Sequence, residues 1–458
     1  MSRLRVFIDF GSTFTKGVAF DLESESLAAR VQSPSTADTD ITVGLRKTLD
    51  ALARELPVGE AELAGALACS SAAGGLRMVC VGLVPDYTTK AGRLAALGAG
   101  AKVVGSFSYE LSASELREMD ALAPDIVLLT GGTDGGNRKT IVRNAELIAA
   151  SSAVRNVIAA GNKSARDEIE SAFEGSGKNL RFAKNVMPEF GVLELSSVNE
   201  QIRELFIGRI TEAKGIARAE ELIGGLVMPT PAAVFAAARL IAEGTPSEAG
   251  LGELLLVDVG GATTDVYSVA KGAPTRADAR LMGLTEPRAK RTVEGDLGLF
   301  HNLDTLAEIA GESDIFAADD PGLFGENVKD LRARLSVPDG DALTRCQRML
   351  SRLAVKTAVE RHVGRLEAIL TGEGEVWVQR GKDLSNLPTV LGAGGPLAFS
   401  SDPRYVLEGV LPGAPGVLAP RAPKFLLDSK YILFAVGLLA QSEPAKALRI
   451  VKKYLTDI

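Results

Sequence analysis

The sequence predicts an α/β chain of two similar lobes with a doubly wound α/β domain inserted between them. Three observations carry that reading. The stretch Leu254-Leu-Leu-Val-Asp-Val-Gly-Gly-Ala-Thr-Thr-Asp-Val-Tyr-Ser-Val269 is an apolar strand that ends at Asp258, turns through Gly260 and Gly261, offers Thr263 and Thr264, and resumes as a second strand. The same order recurs over 4–20, with Asp9, Gly11, Ser12, Thr13 and Thr15, and Lys16 adds a cation. From 63 to 186, short apolar runs alternate with helical stretches, the pattern of a mainly parallel sheet with right-handed crossovers.

Both hairpins suit phosphate. Glycines let the backbone reach positive φ and let an anion approach the N–H groups, and the hydroxyls add donors. A carboxylate at a strand end can hold Mg²⁺ through water, because that ion prefers oxygen and gives up its hydration reluctantly. Asp9 and Asp258 are therefore the expected metal and catalytic carboxylates. Lys16 has two readings, a phosphate contact or a solvent-facing residue on the outgoing strand.

Taken in order, the polar run 33–40 caps a helix expected over 42–54, although Ser35, Thr36 and Asp40 could also face a cleft. Val43, Leu45, Leu49, Leu52 and Leu56 fall near helical spacing and should pack on a sheet. In the insert, strands are expected at 65–68, 78–84, 102–107, 125–130, 156–160 and 180–185, with helices at 88–99, 113–122, 138–150 and 163–173. Two turns are glycine-rich, 69–75 and 130–137. The second follows a strand and precedes a helix, so it suits either an anion or close packing of the two elements.

A capped helix from 197 towards Lys214 should return the chain to the core. The alanine-rich, proline-opened segment 227–241 gives a closely packing helix, in which Met228, Thr230 and Phe235 read as core and cap. Glu294, Asp296 and His301 lie close in sequence, readable as a cleft turn or as ligand types for a metal. Residues 314–338 are polar and irregular. A long helix is expected over 345–370, with Ala354, Ala358, Val363, Leu366 and Ile369 buried and His362 structural. An amphipathic helical pair, 431–440 and 444–454, ends the chain.

Composition narrows the function classes. The chain has 458 residues, enough for two or three domains, and its net charge of −7 gives no reason to expect nucleic acid as a partner. Charges interrupt every apolar run before it could span a bilayer, and the N-terminus has no signal-peptide core, so a cytoplasmic protein is expected. Cys69, Cys80 and Cys346 have no metal-site spacing and read as buried small hydrophobes.

A third loop completes a pattern. Thr389-Val-Leu-Gly-Ala-Gly-Gly-Pro-Leu-Ala398 runs a strand into Gly392, Gly394 and Gly395, with Pro396 opening the next helix. It resembles the adenosine loop of the actin-like ATPase superfamily. That resemblance implies two ribonuclease-H-like lobes closing over ATP and Mg²⁺, with phosphate loops at 6–20 and 254–269. The expected divisions are 1–62 for the first part of the N-terminal lobe, 63–186 for the insert, 187–250 for return and connecting helices, and 251–458 for the C-terminal lobe.

A narrower resemblance rests on longer strings: Cys69-Ser-Ser-Ala-Ala-Gly-Gly-Leu, Val81-Gly-Leu-Val-Pro-Asp, Leu97-Gly-Ala-Gly-Ala-Lys-Val, Leu128-Leu-Thr-Gly-Gly-Thr-Asp-Gly-Gly-Asn, Val227-Met-Pro-Thr-Pro-Ala-Ala-Val and Val257-Asp-Val-Gly-Gly-Ala-Thr-Thr-Asp. Together they resemble the glutamate mutase accessory protein L family over nearly the whole chain. The resemblance implies an ATP-dependent chaperone, or reactivase, of cobalamin-dependent mutases or aminomutases, with hydrolysis coupled to release of damaged cobalamin. The mutase subunits would be its partners, and a homodimer stays open. The nucleotide would be held by Gly11, Ser12, Thr13, Thr15, Lys16, Gly260, Gly261, Thr263, Thr264, Gly392, Gly394 and Gly395. Asp265 and Glu200 are candidate general bases. A small-molecule kinase of the same fold and an ATP-binding scaffold stay open as alternatives. The related dehydratase activators carry an iron–sulfur cluster on paired cysteines, and the context of Cys69 and Cys80 does not match one.

Overall fold

The structure is a computed structural model that describes residues 4–36, 39–56, 63, 65–71, 76–211, 219, 222–300, 302–311, 327–328, 330–331, 341–372 and 374–458. The chain divides into two compact units, one of Met1–Ala72, Lys214–Met282 and Arg288–Ile458, the other of Ala73–Ala213 and Gly283–Pro287.

The first unit contains the same sheet twice. Strands Leu4–Phe10, Phe14–Asp21, Ser26–Pro34, Leu67–Ser70 and Gly225–Pro229 lie in the order third, second, first, fourth, fifth. The second is antiparallel to both the first and the third, and the fourth and fifth join in parallel. Strands Leu254–Val259, Thr264–Val269, Ala289–Glu294, Thr389–Ala393 and Lys424–Asp428 repeat that order with the same senses, and Leu455–Asp457 adds an antiparallel edge. Two such mixed sheets are two ribonuclease-H-like lobes, the actin-like ATPase fold that the resemblance implies. Because the central strands are covered on both faces, they read as nearly continuous apolar runs, Val6 to Ile8 and Leu254 to Val257, all essentially buried.

One apolar core joins the two lobes. It includes Phe7, Val18 and Phe20 of the first sheet, Leu254, Leu256 and Tyr267 of the second, and helices Thr230–Glu243, Leu433–Leu439 and Pro444–Tyr454. The small residues expected at 227–241 are used here. A Cβ on Gly437 would stand 1.8 Å from the Ala233 carbonyl oxygen, so only glycine permits that helix crossing.

In the second unit, strands Arg77–Gly82, Lys102–Ser108, Ile126–Leu129, Asn156–Ala159 and Asn179–Phe182 form an all-parallel sheet in the order second, first, third, fourth, fifth. Helices Lys90–Gly98, Ala113–Leu122, Lys139–Ala150 and Arg166–Phe173 alternate with them, as the doubly wound reading requires. The helix Ser196–Thr211 packs in this unit against Lys90–Gly98.

Three local expectations are corrected. The strand read at 65–68 is Leu67–Ser70, and it pairs with Leu4–Phe10 in the first sheet instead of entering the insert. The helix read over 345–370 is Asp341–His362; Arg365–Thr371 is a strand paired with Gly374–Arg380. Gly364 causes the break, because a Cβ there would stand 2.6 Å from the Arg380 carbonyl oxygen, and its N–H bonds to Lys382. Leu366 and Ile369 are therefore half-buried strand residues. Val43 points outwards, 44% exposed, while Leu45, Leu49 and Leu52 of the same helix Ile41–Glu55 are buried.

Candidate functional site

The two hairpins close in the same way. The Gly11 N–H donates to the Phe14 carbonyl at 3.1 Å, and the Gly260 N–H donates to the Thr263 carbonyl at 2.9 Å. In each, the aspartate two residues before the glycine faces a charged residue across the ladder: Lys16 opposite Asp9, Asp265 opposite Asp258. The surroundings then diverge.

Asp9 is fully engaged. Its Oδ2 accepts from Lys16 Nζ at 2.9 Å, and its Oδ1 accepts from Thr230 Oγ1 at 2.6 Å, with Cys69 Sγ 3.7 Å away. Lys16 Nζ also donates to the Tyr431 hydroxyl at 2.9 Å and lies 4.2 Å from the centre of its ring. Burial lowers the lysine's pKa, but Asp9 and Tyr431 outweigh it and hold Lys16 well above the usual range. Lys16 is thus a buried, charged residue facing the site, which removes the solvent-facing reading.

Asp258 lacks such a partner. Across from it, Asp265 receives Nε and Nη2 of Arg291 at 2.9 and 2.6 Å and Thr263 Oγ1 at 2.9 Å. Arg291 neutralises Asp265 and leaves Asp258 with no hydrogen bond or ion pair among the described residues. Burial, then the charge of Asp265, push Asp258 up to about 7.

The third loop meets this carboxylate. Gly394 has φ of +95°, and a Cβ there would stand 2.7 Å from Asp258 Oδ1 and 2.1 Å from the Val259 carbonyl oxygen. Similarly, a Cβ on Gly261 would stand 3.3 Å from Thr13 Oγ1, which brings the two phosphate hairpins tip to tip. Gly395 opens the four-residue helix Gly395–Ala398 and has open space at its Cβ position, the nearest atom being 4.0 Å away on Phe399.

Other expected residues lie elsewhere or serve the framework. Ser12 is exposed at the first turn. The Thr15 side chain is on the opposite face of its strand from Lys16, beside Gly44. Thr264 Oγ1 is spent on the Leu297 carbonyl at 2.7 Å. Gly392 packs under Leu407. Asp40 caps its helix by accepting from the Thr42 N–H, and Ser35 Oγ donates to the Gly11 carbonyl, so the polar run braces the first turn. Asp265 is ion-paired, and Glu200 is exposed on the helix Ser196–Thr211 of the other unit. Glu294 and Asp296 both bind Arg361, and His301 lies outside the described residues. His362 is a buried strut, with Nδ1 2.8 Å from Thr292 Oγ1 and Nε2 2.8 Å from Ser268 Oγ. Cys69, Cys80 and Cys346 are free and buried.

Among the described residues no group of three or more His, Cys, Asp or Glu could hold a metal. Asp9 and Asp258 at facing hairpins, with an unpartnered carboxylate on Asp258, fit an ion that keeps most of its water and takes one or two carboxylates with a phosphate ligand. No helix among the described residues is long and apolar enough to cross a membrane.

Sequence reasoning missed Thr230, Tyr431 and Asp428. Thr230, read as core or cap, donates to Asp9 from the first turn of its helix. Tyr431 has φ of +54° and is held there at the end of a turn, its N–H bonded to the Asp428 carbonyl. The Asp428 carboxylate accepts the Ile432 and Leu433 N–H groups at 2.8 and 3.0 Å and is pushed by burial up to about 6. Only the run Asp428-Ser-Lys-Tyr-Ile-Leu433 at the start of an apolar helix hints at this capping turn.

A family model described as MutL protein matches residues 5–455. Protein MutL of Clostridium tetanomorphum is 42% identical over 463 residues, covering 99% of each chain. Similar solved structures include nucleotide-free acetone carboxylase, at 13% identity and TM-score 0.37 over 96% of this chain and 70% of that one. Component A of (R)-2-hydroxyglutaryl-CoA dehydratase from Acidaminococcus fermentans follows at 11% identity and TM-score 0.30 over 99% of both chains. Xylulose kinase from Rhodospirillum rubrum has 13% identity and TM-score 0.33 over 100% of this chain and 93% of that one. With a family match over nearly its whole length and a full-length relative at 42% identity, the chain belongs to the MutL protein family.

Proposed function

We propose that the protein is an ATP-dependent reactivating chaperone for a coenzyme-B12-dependent mutase or aminomutase, coupling ATP binding and hydrolysis to release of damaged cobalamin. The observation that carries the nucleotide half is the meeting of three loops: Gly261 against Thr13, and Gly394 against Asp258, whose carboxylate has no partner among the described residues. The partner half rests on membership of the MutL family together with the resemblance of the long sequence motifs to an accessory family of cobalamin mutases.

In this reading the backbone at Gly11, Ser12, Gly260 and Gly261, with the hydroxyl of Thr13 and, once it turns from Asp265, that of Thr263, cradles the phosphates. Lys16 leaves Asp9 to meet a phosphate, and Thr230 keeps Asp9 oriented as it does so. Gly394 and Gly395 seat the adenosine. Asp9 and Asp258 would hold Mg²⁺ through water, and the ion when bound neutralises phosphate charge. Lobe closure on ATP then supplies binding energy that differs between partner states, which is what can shift a mutase towards a form that lets its cofactor leave. The doubly wound domain, expected over 63–186, would dock on the mutase.

The test is ATP turnover by the purified protein with and without Mg²⁺, for wild type and Asp258→Ala, alongside capture of cobalamin-enzyme subunits from the native extract. Turnover that needs Mg²⁺, is lost in the variant and accompanies a retained mutase subunit is the expected result. Phosphate transfer to a metabolite would make the protein a kinase instead. Absence of both nucleotide binding and a mutase would leave a scaffold.

A further inference from the structure

At the C-terminal edge of the parallel sheet in the second unit, strands Asn156–Ala159 and Asn179–Phe182 open onto a cavity of about 470 Å³. That volume lies in the range of small-molecule sites, and the strand C-termini are where open α/β sheets bind them. None of its residues takes part in the nucleotide reading above.

Three cations, Lys163, Arg166 and Lys184, and two carboxylates, Asp134 and Glu194, line the cavity. The carboxylates are committed within the protein. Asp134 Oδ1 accepts from Asn185 Nδ2 at 2.9 Å and from the Lys163 N–H at 3.1 Å, and Oδ2 lies 3.8 Å from Lys163 Nζ. Glu194 accepts from the Ser196 N–H at 3.2 Å and from its hydroxyl, and these bonds, with Lys184 nearby, hold it below the usual range. Arg166 lies 4.2 Å over the Phe182 ring and makes no ion pair among the described residues. The guanidinium is thus positioned by stacking while its donors stay available.

The walls are preorganised. Asn162, 2% exposed, accepts from the Gly135 and Ser164 N–H groups and donates to the Gly136 carbonyl, pinning the 130–137 turn to the start of the next helical segment. Asn185, 5% exposed, donates to the Gly132 carbonyl from the end of the fifth strand. A Cβ on Gly161 would stand 2.6 Å from the Gly131 carbonyl oxygen, so the two turns touch through backbone. Two buried asparagines fix loops that the sheet alone would leave free, and the helix Arg166–Phe173 starts at this rim. Below the cations the lining is apolar, from Ala159, Ile169 and Phe182.

We propose that this cavity binds a small phosphomonoester, its phosphate on Arg166, Lys184 and Lys163 and its organic body against Ala159, Ile169 and Phe182. The cavity exceeds what inorganic phosphate needs, and the apolar floor would otherwise be covered only by water.

Calorimetric titration of the full chain with ribose 5-phosphate, ribose and inorganic phosphate tests this, using wild type, the double variant Arg166→Glu/Lys184→Glu, and Asp258→Ala. Ribose 5-phosphate should bind more tightly than inorganic phosphate, and ribose should give no heat. The double charge reversal should weaken binding by roughly tenfold or more, the loss of two charge-assisted contacts. Asp258→Ala should bind like wild type, which separates this site from the hairpin cleft. Both substituted heads are exposed, so the fold should survive; should it not, Arg166→Gln/Lys184→Gln reads the same loss. The proposal is overturned by absence of binding, by equal affinity for inorganic phosphate, by unchanged affinity in the double variant, or by loss of binding in Asp258→Ala.

Discussion

Asp258 stands directly across the second hairpin from Asp265, at the register position where the first hairpin pairs Asp9 with Lys16. Two hairpins with one backbone construction thus carry opposite electrostatics. In the first, the cross-strand lysine neutralises the aspartate. In the second, an arginine from the third strand neutralises the cross-strand residue, and the aspartate at the strand end is left for something else.

That relationship makes Arg291 a residue on which the whole second hairpin depends. Arg291 and Asp265 are both nearly buried, and removing one member of a buried pair leaves an uncompensated charge. Arg291→Met should cost about 3–5 kcal/mol in urea unfolding. The double variant Arg291→Met/Asp265→Asn should recover most of that loss, because the repulsion on Asp258 disappears with the stranded charge. Equal instability of single and double variants would mean that packing under Arg291, and not charge compensation, holds the strand.

Lys16 has two tasks that substitution can separate. It neutralises Asp9 in the structure, and under the proposed function it meets a phosphate. Lys16→Met should destabilise by a few kcal/mol, since Asp9 loses its buried counter-ion. It should also lower ATP turnover by at least roughly tenfold, the effect of losing one charge-assisted contact to the transition state. Tyr431→Phe removes only the hydroxyl partner and keeps the ring under the ammonium, so a loss of about 1–2 kcal/mol is expected. Full turnover by the folded Lys16→Met protein would confine Lys16 to the structural task.

The two glycines of the third loop should respond differently to a single methyl group. At Gly394 the backbone has positive φ and the methyl would collide with the Val259 carbonyl and with Asp258, so Gly394→Ala should lose several kcal/mol of stability. At Gly395 the methyl meets nothing nearer than 4.0 Å, so Gly395→Ala should keep its melting temperature. If the proposed adenosine seat is right, the second variant still loses ATP affinity by roughly tenfold or more, as the cleft is narrowed where the ligand sits. Wild-type affinity in Gly395→Ala would move the adenosine elsewhere.

What the sequence made legible was local. A strand, a carboxylate, a glycine turn and a hydroxyl run occupy under twenty residues, so both hairpins could be read, and their duplication pointed to two lobes. The alternation of strands and helices likewise gave the parallel sheet. What it hid was convergence: Thr230 reaches Asp9 from 221 residues away and Tyr431 reaches Lys16 from 415, distances at which no spacing rule operates. Thr264 and Gly392 looked like ligand contacts because residue type cannot tell a donor aimed at a cleft from one bonded to the Leu297 carbonyl, or an open glycine from one packed under Leu407. The missed turn at Gly364 has the same origin. Leu366 and Ile369 fit helical spacing with Val363, but the chain leaves the helix at Gly364, where the backbone of 380–382 packs too close for a side chain and the next residues pair as a strand.

The last prediction concerns Asp428, whose carboxylate caps the helix that carries the shared core. Burial raises its pKa to about 6 from the ordinary 3.8, against the pull of the Ile432 and Leu433 N–H groups and Arg30. The folded protein therefore holds a proton that the unfolded chain has released between those two values. For a raised pKa the stabilising contribution is fully present below about pH 4 and is lost as pH rises through about 6. Stability of wild type relative to Asp428→Asn should fall across that window and level off above pH 7, with a difference between the plateaus on the order of 3 kcal/mol. Comparison with the variant matters, because buried His362 acts in the opposite sense: burial, with Lys290 and Lys382, holds it well below 6.5, so its penalty grows as pH drops below 6.5 and cancels between the two proteins. Urea midpoints from about pH 3 to 8 for both proteins give the profile. Parallel curves would mean that Asp428 is ionised throughout and that its backbone hydrogen bonds outweigh its burial.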